Sequence, residues 1–334
     1  MSSDAKNDTS PTIVTRRKVL GGLGLALMAA PLGHLIAACG EGNDGGTPGG
    51  GNDAGTITDP GFWATGGTAA MTAVSSYPDP FASGIGSTCK LTCEATLGPC
   101  YANTLVRKDI SEGHDGLPVR IVLLVVDESC KPVPGASVDI WHAAPEGLYS
   151  GEDASTFCTG DDPTATSARW FRGVQTTDAN GRVEFDTCFP GWYSSRTIHI
   201  HFTVRLNDAE YVTSQLVFDD ALNDDVINNQ PLYNTRGPRD TTNANDNVVS
   251  AESAPDYMFQ TQRMPDGAML AWKTLVIRSS LSNASCQMPG GGGGPPPGGG
   301  DGGIRPPPGD GGIRPPRDGG MGPPPGTDGG TGVP

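Results

Sequence analysis

Between Phe189 and Val204 the chain reads FPGWYSSRTIHIHFTV, which sets a tyrosine, an arginine and two histidines close together. Ile198, Ile200, Phe202 and Val204 alternate with His199 and His201. In a strand, that period of two buries the apolar set and turns both imidazoles onto the opposite face. The two rings then stand about 6–7 Å apart along the strand, a spacing that lets them share a metal ion. For an isolated pair of this kind, the polar side of a half-exposed edge strand is the commoner reading. Two tyrosines lie nearby in sequence: Tyr193 in the PGWY corner and Tyr149 at the end of DIWHAAPEGLYSG. Taken singly, each is a tyrosine after a turn or a structural tyrosine corner.

The elements that must position these residues read as short strands. They are 117–127, 136–143, 170–178, 181–187, 197–206, 210–218 and 271–279, all rich in Val, Ile, Thr and aromatics. Asn180-Gly181 between two alternating runs predicts a hairpin, and CKPVPGA predicts a second tight connection. Residues 219–233 have room for one short helix. No segment sustains a helical period, so an all-β, antiparallel sandwich is expected.

The 49 glycines and 30 prolines are concentrated in two places. Residues 39–61 read as a Gly-rich tether, and 286–334, where GDGGIRPP recurs, read as a disordered Gly/Pro-rich tail. The sandwich is expected over 62–285. A net charge of −15 argues against a nucleic-acid partner. Ahead of the tether, residues 1–38 carry TRRKVL followed by an apolar run broken by Gly and Pro and ending in IAAC. This resembles a twin-arginine signal with a lipoprotein cleavage box. It predicts export, lipidation of Cys39 and anchoring to a bacterial membrane on its periplasmic or cell-surface side. Seven cysteines remain, an odd number, so at least one stays outside any intrachain disulfide. The preferred pairs are Cys89 with Cys130 and Cys158 with Cys188.

The run from CKLTCEATLGPCY through GLYSG, followed by FRGVQTTDANGRVEFDTCFPGWYSSRTIHIHFTV, resembles the intradiol ring-cleavage dioxygenases, among them catechol 1,2- and protocatechuate 3,4-dioxygenases. The likeness spans roughly residues 89–218 with its motifs in order. It implies a mononuclear Fe(III) held by Tyr149, Tyr193, His199 and His201. It also implies an active-site arginine at Arg196, a pocket glutamine at Gln215, and cleavage of a small aromatic diol by O2 to a muconate-type diacid. Tyr193 would double as a displaceable ligand and base. The donor set suits the metal: phenolate oxygen matches a hard, highly charged cation whose field ionises tyrosine at neutral pH, and neutral imidazoles add no charge. This chain has Cys100-Tyr101 where the resemblance implies two tyrosines, which makes Tyr101 a candidate substrate contact. His142 reads as a packed residue. Two other readings stand beside this one. The first is a non-enzymatic, transthyretin-like sandwich used for binding or adhesion, and the second is a zinc enzyme using His199, His201 and a carboxylate.

Overall fold

The computed structural model describes residues 59–289. The tether, the signal segment with Cys39 and nearly all of the Gly/Pro-rich tail lie outside these residues. Eight strands form two four-stranded sheets in the orders β4-β1-β8-β7 and β3-β2-β5-β6. In chain order these are β1 (Pro118–Asp127), β2 (Ser137–Trp141), β3 (Arg172–Thr176), β4 (Arg182–Cys188), β5 (His199–Leu206), β6 (Ala209–Val217), β7 (Gln260–Arg263) and β8 (Met269–Ile277). Four short helices fill connections: α1 (Thr156–Thr159), α2 (Pro163–Ser167), α3 (Asp220–Asn229) and α4 (Ala254–Tyr257). The helix foreseen in 219–233 is α3, with Asp219 capping the amides of Ala221 and Leu222.

The sandwich core lies between the sheets. Val119, Ile121, Leu123 and Val125 of β1 meet Ile198, Ile200, Phe202 and Val204 around β5, all essentially fully buried. The apolar members of the alternating run are therefore turned inward as the period predicts.

Three expectations need correction. The first sheet is mixed, because β8 pairs parallel to β1. A parallel neighbour needs a long connection, and the chain between Asp127 and Met269 supplies it by passing through the second sheet. Asn180-Gly181 does make a tight turn, with the Asp178 carboxylate accepting from the amides of Asn180 and Arg182. It joins no hairpin, however, because β3 and β4 belong to different sheets and the turn is a corner between layers. Composition placed the end of the sandwich at 285, yet Cys286 is bonded to Cys93 and Met288 is buried in the core.

The disulfides are Cys89–Cys130, Cys93–Cys286 and Cys100–Cys158. The expected Cys158–Cys188 pair does not form. Cys188 ends β4 in the first sheet, where its buried free thiol faces the His114 carbonyl at 3.5 Å. Cys158, in α1, lies over the second sheet and meets Cys100 there.

Candidate metal centre

β5 is an interior strand, hydrogen-bonded to β2 and β6. The half-exposed edge reading of the two histidines therefore fails: each is 2% exposed. They occupy the outer face of the second sheet, under a cover built from the loops around Cys100, Tyr149 and Tyr193. Gly98, at φ +77°, lies against the His201 ring, where a Cβ would come within 3.1 Å of Cε1. Only glycine satisfies both that backbone and that approach. Gly191 plays a similar part between the two tyrosine segments, since a Cβ there would run into the Pro145 and Ala144 carbonyls.

The four residues singled out as donors converge. His199 Nε2 lies 3.1 Å from His201 Nε2, 3.2 Å from the Tyr193 hydroxyl and 3.5 Å from the Tyr149 hydroxyl. Donors bound about 2.1 Å from a common ion sit roughly 3.0–3.4 Å from their neighbours, so this set fits one metal ion. The His199 Nδ1–H donates to the Thr197 carbonyl at 2.6 Å, which fixes the tautomer and leaves Nε2 as a lone pair. Burial, reinforced by Arg196, pulls the His199 pKa down to about 3. Burial and the neighbouring His199 hold His201 well below the usual imidazole range. Burial pushes both tyrosines up, Tyr149 most strongly; beside Tyr193, Arg196 works in the opposite direction. Without an ion the site is thus neutral, two imidazoles facing two phenols. Among the described residues no three His, Cys, Asp or Glu side chains gather into a metal-binding group. The zinc alternative lacks its carboxylate.

The tyrosines are held unequally. Tyr149 is 2% exposed, and its amide donates to the Cys158 carbonyl. Tyr193 stands at the mouth of a tight turn, with Ser195 in the left-handed region at φ +70°. Asp240 fastens that turn by accepting from the Ser194 hydroxyl at 2.7 Å and the Ser195 amide at 3.0 Å.

Arg196 pairs with the buried Asp246 at 2.9 Å through Nε, and its Nη2 donates to Gln215 Oε1. Gln215 sits on β6 directly across from His201 and donates to the Thr96 carbonyl at 3.3 Å. These two expected residues therefore form one hydrogen-bonded unit beside the donors. Tyr101 lies elsewhere. Its ring stands edge-on to Trp141, centroids 4.9 Å apart, and its hydroxyl donates to Asp139 at 3.1 Å. His142 is a packed residue, its ring nitrogens engaged by the Ala143 carbonyl and the Thr187 hydroxyl, each at 2.8 Å.

Sequence reasoning passed over Trp141, which stacks on His201 at 4.9 Å and 12°, and Arg172, fully buried with its guanidinium 5.9 Å from the Tyr149 ring centre. It also passed over Asp246. Arg172 shares the row of Trp141 and His201 on the outer face, a placement that depends on the pairing of β2 with β3 and β5. Asp246 sits in an irregular loop with no pattern to betray it.

Residues 96–262 match a family model described as Dioxygenase. Catechol 1,2-dioxygenase 1 of Acinetobacter lwoffii is 30% identical over 138 residues, 34% of this chain and 42% of the relative. Chlorocatechol 1,2-dioxygenase of Pseudomonas putida is 27% identical over 123 residues, 31% and 44% of the two chains. The chain thus spans less than half the length of these curated relatives. Among solved structures, an intradiol ring-cleavage dioxygenase from Tetranychus urticae is similar with a TM-score of 0.51 and 28% identity, over 57% of this chain and 95% of that one.

Proposed function

The chain belongs to the intradiol ring-cleavage dioxygenase family, and from that premise we propose that it opens a catechol-type aromatic diol between its hydroxyl-bearing carbons with O2, giving a muconate-type diacid, with Fe(III) as cofactor. The observation that carries this reading is the meeting of two phenol oxygens and two imidazole nitrogens within 3.5 Å of His199 Nε2 or less. When bound, Fe(III) would supply Lewis acidity, drawing electron density from a coordinated diol and exposing its ring to O2.

The chain's own residues do the rest. Tyr149, His199 and His201 would hold the ion as the fixed part of the site, since all three are locked by burial. Tyr193, on its turn, would be the exchangeable oxygen donor, and its phenolate would take up a proton from the incoming diol. Arg196, held by Asp246 and Gln215, offers a fixed positive charge to the anionic substrate as negative charge develops on it. The cover over the outer face, pinned by Cys100–Cys158, keeps bulk water from the donors. The three disulfides support assembly in an oxidising compartment, in keeping with export and anchoring through Cys39.

The test is direct. Protein purified with Fe(III) should be burgundy from tyrosinate-to-iron charge transfer, and it should convert catechol, protocatechuate or hydroxyquinol under labelled O2 into a doubly labelled diacid. A colourless protein that takes up no iron and opens none of the three rings would return the chain to the non-enzymatic sandwich reading.

A further inference from the structure

The two imidazoles differ on their far sides. The His199 Nδ1–H is spent on the Thr197 carbonyl, whereas His201 Nδ1 is buried without any protein partner. Because the Nε2 atoms face each other at 3.1 Å, the His201 ring turns Nε2 back toward His199 and Nδ1 toward the Thr203 end of β5. Alongside runs β2, with Trp141 opposite His201 and Asp139 opposite Thr203. Asp139 is therefore the diagonal neighbour of His201 on the same face, at a Cα separation of about 7–8 Å. One carboxylate oxygen, Oδ2, accepts from Tyr101 at 3.1 Å and lies 3.4 Å from Arg205 Nη1. The other, Oδ1, is buried with no well-formed hydrogen bond, although the buried Thr104 hydroxyl stands near enough to the carboxylate to favour its charged form.

A buried imidazole nitrogen and a buried carboxylate oxygen thus stand diagonal to each other, with no hydrogen bond between the two side chains. Each is costly to leave unpaired. Two more buried donors without partners, Trp141 Nε1 and Arg172 Nη1, belong to the same cross-strand row, since Arg172, Trp141 and His201 are register partners on β3, β2 and β5. Three donors and one acceptor form a set that ordered water satisfies and side-chain contact alone does not.

We propose that Asp139 is the positioning carboxylate of His201, joined to it by an ordered water that accepts from Nδ1–H and donates to Oδ1. The inference rests on the reading of His201 as an iron ligand. A carboxylate behind an imidazole holds the ring's tautomer and direction and strengthens it as a donor. Here the carboxylate is itself held by Tyr101 and Arg205, so Tyr101 acts on the iron site through Asp139 and not through the substrate. His199 and His201 then differ as donors, one backed by a neutral carbonyl and the other by an anion.

Two measurements decide this, and one needs no iron. A crystal structure of the metal-free full chain should place a water about 3 Å from both His201 Nδ1 and Asp139 Oδ1. In iron-loaded protein, Asp139→Asn should weaken Fe(III) binding by about 10–100-fold. It should also move the tyrosinate charge-transfer band to lower energy, a change that mere loosening of β2 does not produce. The absence of the bridging water overturns the proposal. So does an Asp139→Asn protein with unchanged affinity and unchanged colour. If Asp139→Asn fails to fold, the metal-free structure of the unsubstituted chain still decides. A chain that takes up no iron yet shows the bridging water keeps the bridge and removes the dioxygenase reading instead.

Discussion

Gly98 rests on the ring of His201, so close that a Cβ added there would sit 3.1 Å from Cε1 and 3.8 Å from Nε2. The ring is stacked on Trp141 on another side, leaving little room to give. Gly98→Ala should therefore push Nε2 away from the shared point. Strain alone is controlled by Gly84→Ala, which has a similar φ of +79° but open space around it. Iron content per chain should fall in the first variant and stay level in the second; equal losses in both would mean that backbone strain, and not the imidazole, is responsible.

The unequal anchoring of the tyrosines predicts unequal losses. Tyr149→Phe removes a hydroxyl from a fully enclosed ligand and should abolish most iron binding. Tyr193→Phe removes one from the donor assigned the exchangeable role. It should keep iron with an altered absorption band while slowing substrate deprotonation. Metal analysis together with stopped-flow mixing with catechol separates the two. Reversed behaviour would exchange the roles assigned to the pair.

Arg196→Ala should leave the colour and cut turnover by ~100-fold or more, the scale of losing one preorganised charge at a transition state. Asp246 keeps the amides of Thr197, Val248 and Val249 as donors, so the buried carboxylate is not stranded and the variant should still fold. Steady-state rates measured at equal iron loading check this, and a rate within a few-fold of the parent would reduce Arg196 to a structural ion pair.

Much of this site was legible because strand periodicity is strict. Two histidines separated by one residue must share a face, and the apolar residues between them must enter the core. What pairwise spacing cannot carry is which sheet a strand joins. The Asn180-Gly181 turn obeyed its local chemistry while its flanking strands went to different layers, and the parallel β1–β8 pairing depends on a return path far away in sequence. The same limit misplaced Cys158. A bridge to Cys188 would have tied together the two segments that carry Tyr149 and Tyr193, whereas the face of the second sheet on which Cys158 sits selects Cys100. Asp246 and Gly98 entered from irregular segments, where only three-dimensional proximity gives a residue its meaning.

The Cys100–Cys158 bridge closes 58 residues over the outer face. Chain-entropy reasoning puts its contribution at about 4 kcal/mol. The Cys100→Ser, Cys158→Ser double variant should unfold at lower denaturant concentration by that order. It should also lose iron faster to a chelator than the parent does at the same fraction folded, because the cover over Tyr149 is released. Unchanged chelation kinetics would confine the bridge to global stability.

His142 predicts a pH signature. Its ring is fully enclosed between the Ala143 carbonyl and the Thr187 hydroxyl, and burial lowers its pKa to about 4, against about 6.5 in the unfolded chain. A basic group with a depressed folded pKa binds its proton more readily when unfolded. Its contribution is therefore complete above pH 6.5 and is lost as pH falls toward 4, amounting to about 3 kcal/mol at most. Asp139 works in the opposite sense. Burial raises its folded pKa to about 6, so protonating it between pH 6 and 4 favours the folded chain. The two nearly cancel, and the buried His199 and His201 of the metal-free protein add their own loss as pH falls, so the parent alone does not isolate His142. The difference between parent and His142→Gln will: relative to the parent, the variant should gain stability steadily as pH is lowered from 6.5 to 4, read from denaturant midpoints on metal-free protein so that iron release does not contribute. A difference that stays constant over that interval would show that His142 takes up its proton as readily in the folded chain as in the unfolded one, and would withdraw the neutral-imidazole assignment from this residue.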